Sequence, residues 1–387
     1  MKIDRSAFNN RVLDEQALSL DRPHPPVVDG VPVNAGYFYT DQGDILLRIH
    51  APNAKEVKVR ILHPAPVRDL VLSPGSNGIF EGIISYDPNR SGPLNIDVFF
   101  DGNFALYPYL PIGWCGNRPN NFIDMPSPHA KLWEIRDVPH GTVSSELYYS
   151  SVMQDWKRCM VYTPPGYMKD DRHYPVVYML HGGTANEQDW LSSGRAAHIF
   201  DNLFADRKAT PFIAVMTNGM VRFPDSGKVV WDDALEQMLV RDVIPYVDAR
   251  YRTVDDKWSR ALCGLSMGAY MTNDIGFRHP DLFGYMGQFT ACMTHLKDFP
   301  NYQRPYLALM QAWEEDPSEF SRQYRIFFRS TTRREDHFDY FEADDAILAK
   351  AGIDTLPCNH RVIYSDQTSK WDSWRLGIHD YVQLLFK

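Results

Sequence analysis

The chain has 387 residues, a formal net charge of −9 and an isoelectric point near 5.8. That acidic balance, with no basic run anywhere, argues against a nucleic-acid partner. No apolar run is long enough to span a bilayer, so no membrane partner is expected either.

The opening MKIDRSAFNN lacks the apolar stretch of a secretory leader, so the expectation is a cytoplasmic chain or a mature secreted form. Nothing in the sequence fixes the oligomeric state. Residues 1–28 are polar and end in DRPHPPVV, which reads as an N-terminal arm. From about residue 36 the pattern turns to short alternating runs broken by Pro, Gly and Asn. YFYTDQGDILLRIHAPNAKEVKVRILHP, GIFEGIISYDP and PLNIDVFFDGN are the clearest. Such runs imply a small antiparallel β-sandwich of immunoglobulin-like type over 29–125. Residues 105–148 are rich in Pro, Gly and aromatics, and an ordered linker is expected over 126–148. Tyr107, Trp114 and Phe122 either rim a groove or pack inside, and packing is the favoured reading.

From residue 149 strands and helices alternate. YPVVYMLHGG, FIAVMTNG, RALCGLS, GYMGQFTACM, RIFFRSTT and HRVIYSD read as strands. GRAAHIFDNLFAD, WDDALEQMLVRDVIPYVDARY, MGAYMTNDIGFRH, FEADDAILAKAG and WDSWRLGIHDYVQLLF read as helices. Apolar runs between helices imply an α/β domain over 149–387 with a parallel sheet covered on both faces. The five cysteines, Cys115, Cys159, Cys263, Cys292 and Cys358, are far apart and contain no C-x-x-C pair. Free and mostly buried thiols are expected, with no metal and no cofactor.

The chemistry centres on GLSMG, residues 264–268. G-x-S-x-G arises by chance in a fair share of chains this long, so its placement matters. It follows the strand RALC and opens the helix MGAYMTNDIGF, as a nucleophile elbow requires. There Ser266 sits on a sharp turn, and Gly264 and Gly268 let strand and helix approach. The helix N-terminus aims N–H groups at a developing oxyanion. YMLHGGT ends an earlier strand in the manner of an oxyanion loop. The backbone N–H of Met267 and one from Gly183–Thr184 are the expected donors.

These residues, with VPHGTV, VYTPPGY, DWLSSGRAAHIFDNL and the closing W-x-x-W-R at Trp371–Arg375, carry a resemblance over 138–387. The chain resembles the carbohydrate esterase family of feruloyl and acetylxylan esterases, related to esterase D and enterochelin esterases. The N-terminal part resembles the starch-binding-like module found ahead of such domains. The resemblance implies an α/β-hydrolase domain behind a β-sandwich. It also implies a serine esterase that releases acyl groups from plant polysaccharides through an acyl-enzyme. The triad acid then falls at Asp336, with Glu335 the neighbouring option.

One departure stands out. Such esterases carry the catalytic histidine in a G-H-x-W-x-x-W-R segment, and here SDQTSKWDSWR puts Ser369 in its place and Thr368 in the glycine's. Loss of the base in a serine hydrolase costs about six orders of magnitude in turnover. His379 lies too far along the last helix, His360 at the wrong end of the last strand, and His279 at the far end of the elbow helix. His181 is read as ordering the oxyanion loop. His337 and His295 follow strands at the catalytic end, and His337 is the preferred candidate base beside the alternative of no histidine at all. Trp190 and Trp231 are candidate stacking residues for an aryl or sugar ring, with packing the competing reading. The expected partner is an acylated oligosaccharide or aryl ester. An esterase-fold protein that binds such esters with little or no turnover is the competing function.

Overall fold

The computed structural model describes residues 27–32, 35–63, 67–85, 92–225, 233–290, 311–335, 338–365 and 370–387. It divides into two compact units, Met1–Arg136 with Gln367–Asp372, and Asp137–Asp366 with Ser373–Lys387. The residue 1–26 part of the expected arm lies outside the described residues.

The first unit is antiparallel. One sheet orders Gly36–Tyr39, Ile45–His50, Ile79–Ile84 and Ser73–Pro74. The other orders Ile112–Cys115, Arg118–Met125, Gly92–Phe100, Val57–His63 and Arg68–Val71, with Asn103–Ala105 also paired to Gly92–Phe100. Alternation along the strands sends Leu47 and Ile49 from the first sheet, and Val57, Val59, Leu94, Ile96 and Val98 from the second, into one common core. Tyr107 belongs to that core and Phe122 is fully buried, so both pack inside rather than rim a groove.

Among the described residues the second unit holds eight strands: β1 Thr142–Ser150, β2 Asp155–Thr163, β3 Val176–Leu180, β4 Ile213–Thr217, β5 Arg260–Leu265, β6 Tyr285–Phe289, β7 Ile326–Thr332 and β8 Asn359–Tyr364. Their order in the sheet is β1-β2-β4-β3-β5-β6-β7-β8. β1 and β2 are antiparallel additions at one edge, and the rest run parallel. The structure thus moves the start of this unit earlier than the sequence suggested. Residues 142–148, expected in the linker, are strand β1. Its TVSSELYYS reads as mixed polarity because an edge strand buries only alternate residues, here Glu146, Tyr148 and Ser150.

Among the described residues the helices include α1 Asp189–Ser192, α2 Ala196–Ala205, a composite α3, α4 Met267–Arg278, α5 Pro317–Gln323, α6 Phe338–Lys350 and α7 Lys370–Val382, and residues 311–315 are helical as well. The composite runs through Asp233–Met238, a π-helical turn Leu239–Val243 and Ile244–Arg250. Leu235, Met238, Leu239, Val243 and Val247 of α3, with Met271 and Ile275 of α4, cover one face of the sheet. On the other face Phe200 of α2 meets Tyr162, and Tyr381 of α7 meets Phe289. The continuous burial of β3, β4, β5 and β6 follows from that double cover.

Register sets the position of the site. Leu180 pairs with Gly264 and with Thr217, and Leu265 pairs with Phe289. The loops leaving β3, β4 and β5 therefore emerge side by side at the carboxyl end of the sheet, where open α/β sheets bind ligands.

Candidate active site

Ser266 is the one residue between β5 and α4, and its backbone is strained, with φ 50° and ψ −118°. A side chain in that region costs of order 1–3 kcal/mol and persists only where the surroundings enforce it. They do so here. The Ser266 N–H donates to Phe289 O at 3.0 Å, and its carbonyl accepts from Ala269 N at 2.9 Å. A β-carbon on Gly264 would lie 2.3 Å from Gly268 O, and one on Gly268 would lie 2.5 Å from Leu180 O. The two flanking glycines are thus imposed by backbone crossing backbone. Ser266 is half-buried, and its hydroxyl hydrogen-bonds to no described residue. The N–H groups of Met267 and Gly268 begin α4 and have no acceptor within the helix.

The loop after β3 lies against this turn. A β-carbon on Gly182 would sit 3.6 Å from Ser266 Cβ, and one on Gly183 would sit 4.0 Å from Met267 Cβ. His181, 1% exposed, fixes how the loop is turned. Its Nδ1 lies 2.7 Å from Gly182 O, and its Nε2 accepts the N–H of Gly219 at 2.9 Å. The ring is therefore the Nδ1–H tautomer, donating to the carbonyl. Burial holds its pKa down at about 4, so it is neutral. In a trans peptide the N–H points opposite to the C=O. A Gly182 carbonyl held toward His181 thus turns the Gly183 N–H the other way. Thr184, next in the chain, has φ 64°.

A polar network around the buried Glu187 supports the same loop. Glu187, 3% exposed, accepts from Arg158 Nε at 2.5 Å and from Asn218 Nδ2 at 2.6 Å. Asn218 in turn accepts from Lys157 Nζ at 3.1 Å, and burial pulls that ammonium down to about 8. The network joins β2, the loop after β3 and the loop after β4. The sequence reading missed it, because no local spacing links residues 158, 187 and 218. The only hint was three polar residues beside apolar strand ends.

Trp190 is a packing residue and not the stacking platform expected of it. It is 1% exposed, donates its indole N–H to Leu180 O at 3.0 Å and packs edge-on against Phe289, so it presents no face for a ligand to stack on. Arg375 of the closing motif is fully buried and donates to Ser193 O at 2.7 Å, tying α7 to the turn after α1.

Among the weighed histidines, His181 has both ring nitrogens occupied. His279 at the end of α4 pairs with Glu236 at 2.5 Å, His360 opens β8, and His379 in α7 pairs with Asp380 at 2.8 Å. Glu335 is buried in the turn after β7, its N–H bonded to Thr332 O at 3.0 Å. Asp336, His337, His295, Trp231, Thr368 and Ser369 lie outside the described residues. The four described cysteines, Cys115, Cys159, Cys263 and Cys358, are free.

An endo-1,4-beta-xylanase/feruloyl esterase of Xylanibacter ruminicola is 35% identical over 259 residues, covering 64% of this chain and 35% of that protein. The chain thus spans about a third of that relative's length. An esterase of Mycobacterium tuberculosis is 28% identical over 147 residues, which is 35% of this chain and 28% of that protein. Among solved structures, the enterobactin esterase of Shigella flexneri matches with a TM-score of 0.58 at 12% identity, covering 92% of this chain and 96% of that one. The feruloyl esterase module from Clostridium thermocellum matches at 0.53 and 17%, covering 72% and 95%. At such identities these structures share the fold. The family described as "Putative esterase" matches residues 150–368, more than half of the sequence. By that match the chain belongs to the esterase family, and its second unit has the α/β-hydrolase fold.

Proposed function

We propose that this protein is a serine carboxylic-ester hydrolase of feruloyl or acetylxylan esterase type, acting on acylated plant polysaccharide fragments. The observation that carries the reading is the contact of the Gly182–Gly183 loop with the Ser266–Met267 turn. Ser266 Oγ attacks the ester carbonyl. The N–H of Met267, with one from Gly183 or Thr184, receives the oxyanion, and the alcohol leaves to give an acyl-serine that water then hydrolyses. Asp336 serves as the triad acid and His337 as the base, since Ser369 stands where the family places its histidine. The xylanase/feruloyl esterase relative supports the substrate class. The immunoglobulin-like first unit fits a carbohydrate-binding-like module.

The Ser369 position favours a second reading, an esterase-fold protein that binds acylated glycans and turns them over slowly or not at all. A fluorophosphonate probe separates the two. Covalent labelling lost in Ser266→Ala is expected for the enzyme. An unlabelled, folded protein that still binds feruloylated xylan fragments overturns it. Ser369→His should raise p-nitrophenyl acetate turnover by at least two orders of magnitude if the base is missing.

A further inference from the structure

We propose that His140, His198 and Asp201 form a binding site for one divalent transition-metal ion, Zn²⁺ by ligand chemistry, apart from the serine site. A ring nitrogen of each histidine and a carboxylate oxygen of Asp201 lie within 4.8 Å of one another. His198 and Asp201 stand three residues apart on α2 and so share a helix face. His140 reaches them from the segment just before β1.

The carboxylate is already oriented for the task. Asp201 Oδ1 accepts from Tyr162 OH at 2.6 Å and from Gly141 N at 2.8 Å, while Oδ2 faces His140 Nδ1 at 2.8 Å. Outer hydrogen bonds that hold one carboxylate oxygen and leave the other for the ion are the usual support of a metal ligand. Gly141 makes the approach possible, since a β-carbon there would lie 2.3 Å from the Tyr162 ring. His198 Nδ1 is buried with no hydrogen-bond partner among the described residues.

Two imidazoles and a carboxylate suit Zn²⁺, with a fourth, open position for water. Tetrahedral Zn²⁺ at ~2.0–2.1 Å from each ligand spaces a nitrogen and an oxygen by about 3.3 Å. His140 therefore has to retreat by about half an ångström, which a side chain 44% exposed can do. The site lies away from the serine. Tyr162 pairs with Ala214, near the start of β4, whereas Ser266 follows the carboxyl end of β5. A scan for zinc built on cysteine spacing passes over it, since its ligands lie up to 61 residues apart.

Calorimetric titration of the chelator-treated full chain with Zn²⁺ tests the site, with Co²⁺ visible absorption as the second readout. Saturable binding of one equivalent, with a rise in Tm, is expected. His198→Ala and His140→Ala should each weaken it at least tenfold while the circular dichroism spectrum stays native. Asp201→Asn is a poorer test, because Asp201 also holds Tyr162 and Gly141. Absence of one-equivalent binding by the parent chain, or equal affinity in both histidine variants, overturns the proposal. Fluorophosphonate labelling of Ser266 should be the same with and without the ion, so the site stands or falls separately from the esterase reading.

Discussion

At the residue scale, Ser266 is held by atoms that leave no room for alternatives. Gly264→Ala drives a methyl into the Gly268 carbonyl and Gly268→Ala into the Leu180 carbonyl, so the backbone must part at the elbow. Each should cost about 1–3 kcal/mol, read by chemical denaturation, and slow fluorophosphonate labelling more than it lowers stability. Asp189 makes a different prediction. It is buried just after the loop that follows β3, and burial pushes its carboxyl up to about 7. A folded-state pKa above the unfolded value means that the folded state keeps a proton the unfolded chain has released. Stability therefore falls as pH rises from about 4 to about 7. Asp189→Asn removes that loss. The variant should match the parent near pH 4 and exceed it increasingly toward pH 7, by about 4 kcal/mol at most. A difference constant with pH would count against the buried carboxyl.

At the element scale, β2 and the loops after β3 and β4 are cross-linked by polar groups around the buried Glu187. Glu187 lies between Arg158 on β2 and Asn218 after β4, and His181 bonds Gly219 across the same gap. Removing one partner of such a network leaves a buried acceptor short of donors, at about 1–3 kcal/mol. Arg158→Met should therefore lower stability by that amount. It should also slow labelling of Ser266 by about tenfold, because a loop shifted by an ångström misplaces its N–H donors. An unchanged labelling rate at reduced stability would confine the network to a structural role.

At the scale of the whole molecule, two cores are built by two kinds of pattern. The first unit fills its core by strand alternation, the second by sheet faces covered with helices. Ile96 is fully buried in the first core, and Ile96→Ala should cost about 2–5 kcal/mol of that unit's stability. The serine lies in the other unit, so its labelling rate at low temperature should not change. A parallel loss would mean that the two cores fold as one.

The sequence by itself determined the alternation that makes each sheet, the strand–serine–helix turn and its two obligatory glycines. All of these are local. A side chain's face, a positive φ and a close backbone crossing are set by residues within a few positions of one another. Only the tertiary structure decided that Trp190 is packing, that His181 has both nitrogens engaged, that Glu187 ties its loop to β2 and to the loop after β4, and that Asp201 meets His140. Those facts depend on β3 lying between β4 and β5, and on α2 crossing β2. Such neighbours are chosen by burial summed over the whole sheet, and no short spacing along the chain records that sum.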